Sequence, residues 1–225
     1  MFEKEKLEII KTGIKLDRYN LIALSGGNVS CRMLTGEILV TPSGMIYEDM
    51  VEGDVLVMDL DGNILEGQRK DSVDTEALLY IYRHKPKVNA IIHTHQPYAT
   101  AIGLVGDEFE VNLTTLANAT QGSVKVTPFN SAASIDMGID ACEYLGDSLA
   151  VILRHHGVIA VGDSLKQALY ACVYMEEAAK CHIASCSIGV PRKMTEAQIE
   201  QAVEVFKYYG QGTATPPAEL VKRLS

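Results

Sequence analysis

The run Ile91-Ile92-His93-Thr94-His95 constrains this chain more than any other stretch. A short apolar segment leads directly into two histidines spaced i, i+2. On a β-strand such residues point to one face of the sheet. A strand that enters a core and ends this way can bring two imidazoles to one metal ion. Arg154-His155-His156-Gly157 follows a second apolar run, residues 149–153, and offers a third candidate. Three convergent histidines with one open position form the ligand set of a catalytic zinc site. His155 and His156 differ by one position, hence by facing, and spacing leaves both open. Manganese, iron or cobalt suits the same residue types.

At 225 residues the chain is long enough for a sizeable core. It is expected to form one domain over residues 1–225, with an exposed tail from about residue 210 that contains Pro216-Pro217. A hydrophobic fraction of 47% with 22% charged residues fits a soluble globular protein. The net charge of -9 argues against a nucleic-acid surface, which needs basic patches. It leaves room for a small anionic substrate, because a metal and backbone amides make a site locally positive. The first ten residues mix acidic, basic and apolar types, unlike a secretory signal. No apolar run approaches the roughly 18 residues of a membrane span. Five cysteines, odd in number and without C-x-x-C spacing, read as reduced thiols in a cytoplasmic protein.

The spacing of apolar residues predicts helices over 3–19, 75–84, 98–104, 135–145, 164–187 and 195–208. Strands are expected over 37–41, 88–93 and 149–153, and the stretch 109–129 reads as β-rich. Residues 54–60 and 64–65 read as a hairpin, with Asp61-Gly62 favouring a type I′ turn. This mixture suggests a sheet covered by helices on both faces.

Other residues carry chemistry or plain structure. In Ser72-Val73-Asp74-Thr75, three residues cap helices well. Asp74 is equally a candidate base beside the metal, or a fourth ligand. Gly26-Gly27-Asn28-Val29-Ser30 and Thr41-Pro42-Ser43-Gly44 are turn-like. With Ser72 they supply small donors and free amides able to cradle a phosphate without Lys or Arg. Tyr208-Tyr209-Gly210 closes the last helix, and a tyrosine hydroxyl near a metal can serve as a general acid. His84 and His182 lie in helical contexts and read as ordinary surface or packing residues.

Taken together, Gly26-Gly27-Asn28-Val29-Ser30, Val40-Thr41-Pro42-Ser43-Gly44, Asp71-Ser72-Val73-Asp74-Thr75, Ala90-Ile91-Ile92-His93-Thr94-His95, His155-His156-Gly157 and Phe206-Lys207-Tyr208-Tyr209-Gly210 resemble the class II aldolase/adducin family. They occur in family order over nearly the whole chain. The resemblance implies a three-layer α/β/α sandwich around a central, largely antiparallel sheet. It implies a zinc ion held by His93, His95 and His156, the last being the histidine directly before glycine. It implies a phosphate clamp from Gly27, Asn28, Ser43, Gly44 and Ser72, and cyclic homotetramers with sites between subunits.

The family's base position falls on Asp74, where the aldolases usually carry Glu and the epimerases Asp. Val73 replaces the second serine of that motif, so the clamp loses one hydroxyl. Thr41 and His155-His156-Gly157-Val158-Ile159 look aldolase-like. Asn118 stands where epimerases carry an acidic residue, and an Asn exchanges no proton at neutral pH. Tyr209 matches both branches. The expectation is a zinc-dependent aldolase that cleaves an L-fuculose-1-phosphate-like ketose phosphate to dihydroxyacetone phosphate and an aldehyde, with Asp74 and Tyr209 catalytic. The alternatives are an L-ribulose-5-phosphate 4-epimerase type of enzyme, a decarboxylase of a phosphorylated sugar acid, and a non-catalytic adducin-like interaction module.

Overall fold

In the computed structural model, which describes residues 1–208, the run before the histidines forms β5 (Ala90–Thr94), buried at every position. Burial on both faces is why the strand reads as an unbroken apolar run rather than an alternating one. Its neighbours are β1 (Asn28–Arg32) and β9 (Gly157–Gly162), both antiparallel to it. Outside β1 lie β2 (Ile38–Val40), β3 (Leu56–Met58) and β4 (Ile64–Glu66), and outside β9 lies β8 (Ala150–Leu153). The result is a seven-stranded sheet in the order β4-β3-β2-β1-β5-β9-β8, antiparallel throughout. A separate two-stranded ribbon pairs β6 (Glu108–Phe109) with β7 (Val124–Lys125).

Helices cover both faces, as expected. One face packs Val29, Ala90, Ile92, Ile152 and Ala160 beneath α1 (Glu3–Arg18), α3 (Pro97–Val105), α4 (Thr114–Thr120) and α6 (Leu165–Cys186). The other packs Val40, Ile91, Val151 and Ile159 beneath α2 (Thr75–His84) and α5 (Ile135–Leu145). Alternate strand residues enter opposite cores, as the pleat requires. This alternation puts Asn28, Ile91 and His93 on the α2 side of the sheet. A final helix, α7 (Glu196–Phe206), has no buried residue and lies against α4. Among the described residues no helix is long and apolar enough to cross a membrane.

Helix starts follow the local chemistry. Ser134, Ser164 and Thr195 accept main-chain N–H bonds at the heads of α5, α6 and α7, and Thr195 with Gln198 completes a capping box. Three expectations change. The stretch 109–129 is not mainly β, because residues 114–120 form α4. Leu116 and Ala117 are buried there, and Thr120 Oγ1 donates to Leu116 O, so packing overrides the weak helix propensity of threonine. The turn between β3 and β4 is not type I′, for only Gly62 has a positive φ, 90°. Asp59 Oδ1 accepts the Asp61 and Asn63 amides and holds the turn in the other form. Finally, two strands lie outside the expected ones: residues 157–162 form β9, and residues 28–32 form β1, so that the turn-like reading of Gly26 to Ser30 holds only before Asn28.

Burial predicts unequal costs. Ile81, on the inner face of α2, is wholly buried, whereas Leu34, at the β1–β2 hairpin tip, is fully exposed. Ile81→Ala is expected to cost about 2–5 kcal/mol, and Leu34→Ser less than about 0.5 kcal/mol. Equilibrium unfolding in urea measures both.

Candidate metal centre

His93 is the last but one residue of β5 and is fully buried. It is paired across the sheet to Asn28 on one side and Ile159 on the other. Its Nδ1 lies 2.9 Å from Val158 O. A carbonyl only accepts, so Nδ1 carries the proton and Nε2 keeps its lone pair. That lone pair faces His95 Nε2 at 3.1 Å.

His156 reaches the same place by another route. β8 and β9 form a hairpin whose tight turn, residues 154–156, is closed by the His156 amide donating to Leu153 O. β9 then returns beside β5, with Val158 opposite Thr94 and Ile159 opposite His93. The ring of His156 lies 4.7 Å from that of His93 and 5.3 Å from that of His95, centroid to centroid. His155 takes the left-handed conformation, φ 59°, and turns outward to sit 6.1 Å from the Phe129 ring. The choice that spacing left open thus falls on His156.

Ligand atoms of His93, His95 and His156 lie within 4.8 Å of one another. Two nitrogens bound tetrahedrally to one zinc-sized ion stand about 3.3 Å apart. The 3.1 Å between the His93 and His95 nitrogens is close to that. Burial, then the neighbouring rings of His156 and His95, push the His93 pKa down to about 3. Burial and His156 also lower that of His95, against the pull of Asp74. Neutral imidazoles with free lone pairs are what a metal requires, so the three residues could hold one.

Asp74 closes the site from the head of α2. It occupies the N-cap position, yet its side chain makes no capping bond. The carboxylate turns inward, 6% exposed, with Oδ2 at 3.8 Å from His93 Nε2 and 3.3 Å from Asn28 Nδ2. With His93 neutral, its contact with Asp74 is not an ion pair. Asp74 Oδ1 is buried and has no hydrogen-bond partner among the described residues. A buried carboxylate oxygen without a bond is costly, and it fits a group that belongs in the site.

Ser72 does the local capping instead, its Oγ accepting the Asp74 amide at 3.3 Å and Asn28 Nδ2 at 3.4 Å. Pro42 bridges to Asp71, and the Ser43 amide donates to Lys70 O. The loops with Gly27-Asn28, Ser43-Gly44 and Ser72 therefore meet beside the histidines, with Ser43 and Gly44 exposed. Gly27 has φ 73°, and a Cβ there would stand 2.4 Å from His93 O, so only glycine lets this loop lie against β5. Asn118 lies elsewhere, in a cavity with Thr115, Tyr174, Val205 and Phe206. Tyr209 falls outside the described residues.

Two buried groups escaped the sequence reading. Gln96 receives a bond from Thr94 Oγ1 and donates from Nε2 to Cys172 O of α6. Glu176 of α6 receives the Tyr98 and Ala99 amides at the head of α3, at 3.0 and 2.9 Å. Glu176 had a visible signal: it stands four residues after Cys172, a carboxylate on the apolar stripe of its helix.

The low pKa of His93 fixes a sign. Its contribution to stability is complete above the unfolded value of 6.5 and is lost as pH falls towards about 3. From pH 7.5 to 5, metal-free wild type should lose about 2 kcal/mol that His93→Asn retains. Urea unfolding at the two pH values reads this difference.

The geometry can be set beside known proteins. Residues 7–183 match the family described as class II aldolase and adducin N-terminal domain. The chain is 32% identical over 212 residues to a 5-deoxy-D-ribulose 1-phosphate aldolase of Bacillus thuringiensis serovar kurstaki, covering 94% of this chain and 99% of that one. The fold superposes on an L-fuculose 1-phosphate aldolase with a TM-score of 0.85 at 28% identity, over 90% of this chain and 95% of the other. An L-fuculose-1-phosphate aldolase from Thermus thermophilus gives 0.72 at 26% identity, over 80% and 93%. The chain belongs to the class II aldolase and adducin family, and its class of enzyme is that of an aldolase, a carbon–carbon lyase.

Proposed function

We propose that this enzyme cleaves a small ketose 1-phosphate, of the L-fuculose 1-phosphate or 5-deoxyribulose 1-phosphate type, into dihydroxyacetone phosphate and an aldehyde. The observation that carries the reading is the convergence of three histidine nitrogens with a buried carboxylate whose Oδ1 has no partner among the described residues. The names of the relatives add the substrate class, since both describe ketose 1-phosphates. Retro-aldol cleavage of either gives the same phosphorylated three-carbon half.

His93, His95 and His156 would hold a divalent metal ion, zinc by preference, and when bound it would supply Lewis acidity towards the ketone oxygen. Asp74 transfers the proton at the carbon next to the carbonyl, its Oδ1 free to do so and its Oδ2 steadied by Asn28. Gly27, Asn28, Ser43, Gly44 and Ser72 bind the phosphate through amides and hydroxyls and so orient the reacting carbons. Val73 takes no part in that clamp, being an exposed apolar residue. Tyr209, contributed by a neighbouring subunit of a homotetramer, acts on the oxygen that becomes the aldehyde, taking its hydroxyl proton as the carbon–carbon bond breaks and returning it when the bond forms. The protein works in the cytoplasm.

One observation favours a second reading. Asp74, one methylene shorter than the glutamate usual in aldolases, is the base type of the 4-epimerases. Product analysis separates the two. NMR of an incubation with a ketose 1-phosphate should show dihydroxyacetone phosphate and free aldehyde, whereas a C4 epimer alone would establish the second reading. Replacement tests the roles: Asp74→Asn should lower kcat about 10²- to 10⁴-fold with metal content unchanged. His93→Ala should remove metal and activity together, as metal analysis of the purified proteins would reveal.

A further inference from the structure

The three histidines are not held equally. His93 is locked by ladders on both sides and by Val158 O. His156 is set by the closed turn between β8 and β9. His95 lies beyond the end of β5 and is exposed, and among the described residues its ring has only His93 as a hydrogen-bond partner. Its place must therefore come from the backbone around it.

That backbone is tied to α6 at two levels. Gln96, fully buried, donates to Cys172 O at 3.2 Å. One helical turn further along α6, Glu176 takes the Tyr98 and Ala99 amides, one on each carboxylate oxygen. Glu176 is 0% exposed, more deeply buried than Asp54 or Asp74, the other buried carboxylates among the described residues. No cation neutralises it by direct contact there. Burial raises its pKa against the two amides. A helix of nine residues beginning with Pro97 needs no such device merely to start, since a short polar side chain at position 96 could cap it locally. Gln96 makes no capping bond, and the duty passes to a carboxylate from another helix.

We infer that Glu176 is a positioning residue for the metal centre, fixing the junction between β5 and α3 so that His95 is held in place to ligate. The inference rests on the reading of the three histidines as metal ligands. It makes α6, which contributes no ligand, the frame against which one ligand is set.

Cobalt(II) alone is the probe, with affinity read by competition with a chromophoric chelator and coordination by ligand-field absorption at saturation. Glu176→Gln keeps the shape but turns an NH₂ towards an amide. It should bind cobalt about 10- to 100-fold more weakly, with an altered absorption band. Ile102→Val loosens α3 at its buried centre without touching the tie, and should keep the affinity and spectrum of wild type despite lower thermal stability. Wild-type affinity and spectrum in Glu176→Gln would overturn the inference, as would an equal loss in Ile102→Val. Should Glu176→Gln fail to fold, Glu176→Asp replaces it: weaker binding supports the inference and unchanged binding overturns it. Failure of the wild-type protein itself to bind cobalt would be a separate result, overturning the metal reading and this inference with it.

Discussion

Everything at the site depends on the pairing of β5 with β9. That ladder sets Val158 beside Thr94 and Ile159 opposite His93. It thereby supplies the carbonyl that accepts the His93 Nδ1 proton, and it delivers His156 from the hairpin turn to the same spot. A slip of one residue in this register would turn His93 and His95 to the α6 face and part them from Asp74. Register is protected by the two apolar cores, because the same slip would exchange Ile91 with Ile92 and Ile159 with Ala160. The packing that stabilises the sheet is also what keeps the three imidazoles together.

Electrostatics then decide the character of the site. Taking His93 out of water disfavours its charged form, and two neighbouring imidazoles disfavour it further. A cluster of rings that resists protonation has lone pairs to offer. Beside it stands Asp74, aimed inward from the head of a helix, and left with one oxygen that none of the described residues satisfies. Protein folding tolerates such a group where function requires it. The loops of Gly27-Asn28, Ser43-Gly44 and Ser72 add donors without adding cationic side chains, which fits the phosphate clamp proposed for them in a chain of net charge -9.

The contacts with α6 give the exposed His95 a reason to be as well placed as the buried His93. His93 needs only its strand. His95 depends on the main chain that follows it, which Cys172 and Glu176 hold at Gln96 and Tyr98 from a helix 76 to 78 residues further along the sequence. Gly157 completes the fit on the other side, because a Cβ there would stand 2.1 Å from Thr94 O.

Much of this was legible beforehand because it is periodic or local. Ile91 to His95 announced a strand with two histidines on one face, Ser164 and Thr195 announced helix starts, and the apolar stripes of 75–84 and 135–145 gave helices with those bounds. What was not legible depends on partners distant in the chain. Residues 114–120 became helical because Leu116 and Ala117 found burial. Residues 157–162 became a strand because β5 and β8 stood ready on either side. Asp74 read equally as cap or base until the fold set Ser72 to do the capping and pointed the carboxylate at the histidines. The sequence by itself determined which groups could bind a metal and an anion, since that is the chemistry of the side chains and their spacing along a strand. Spacing left His155 and His156 equal, and only the tertiary structure supplies the physical reason for the resemblance's choice of His156: a left-handed backbone turn at His155 whose direction is set by a hairpin returning to β5.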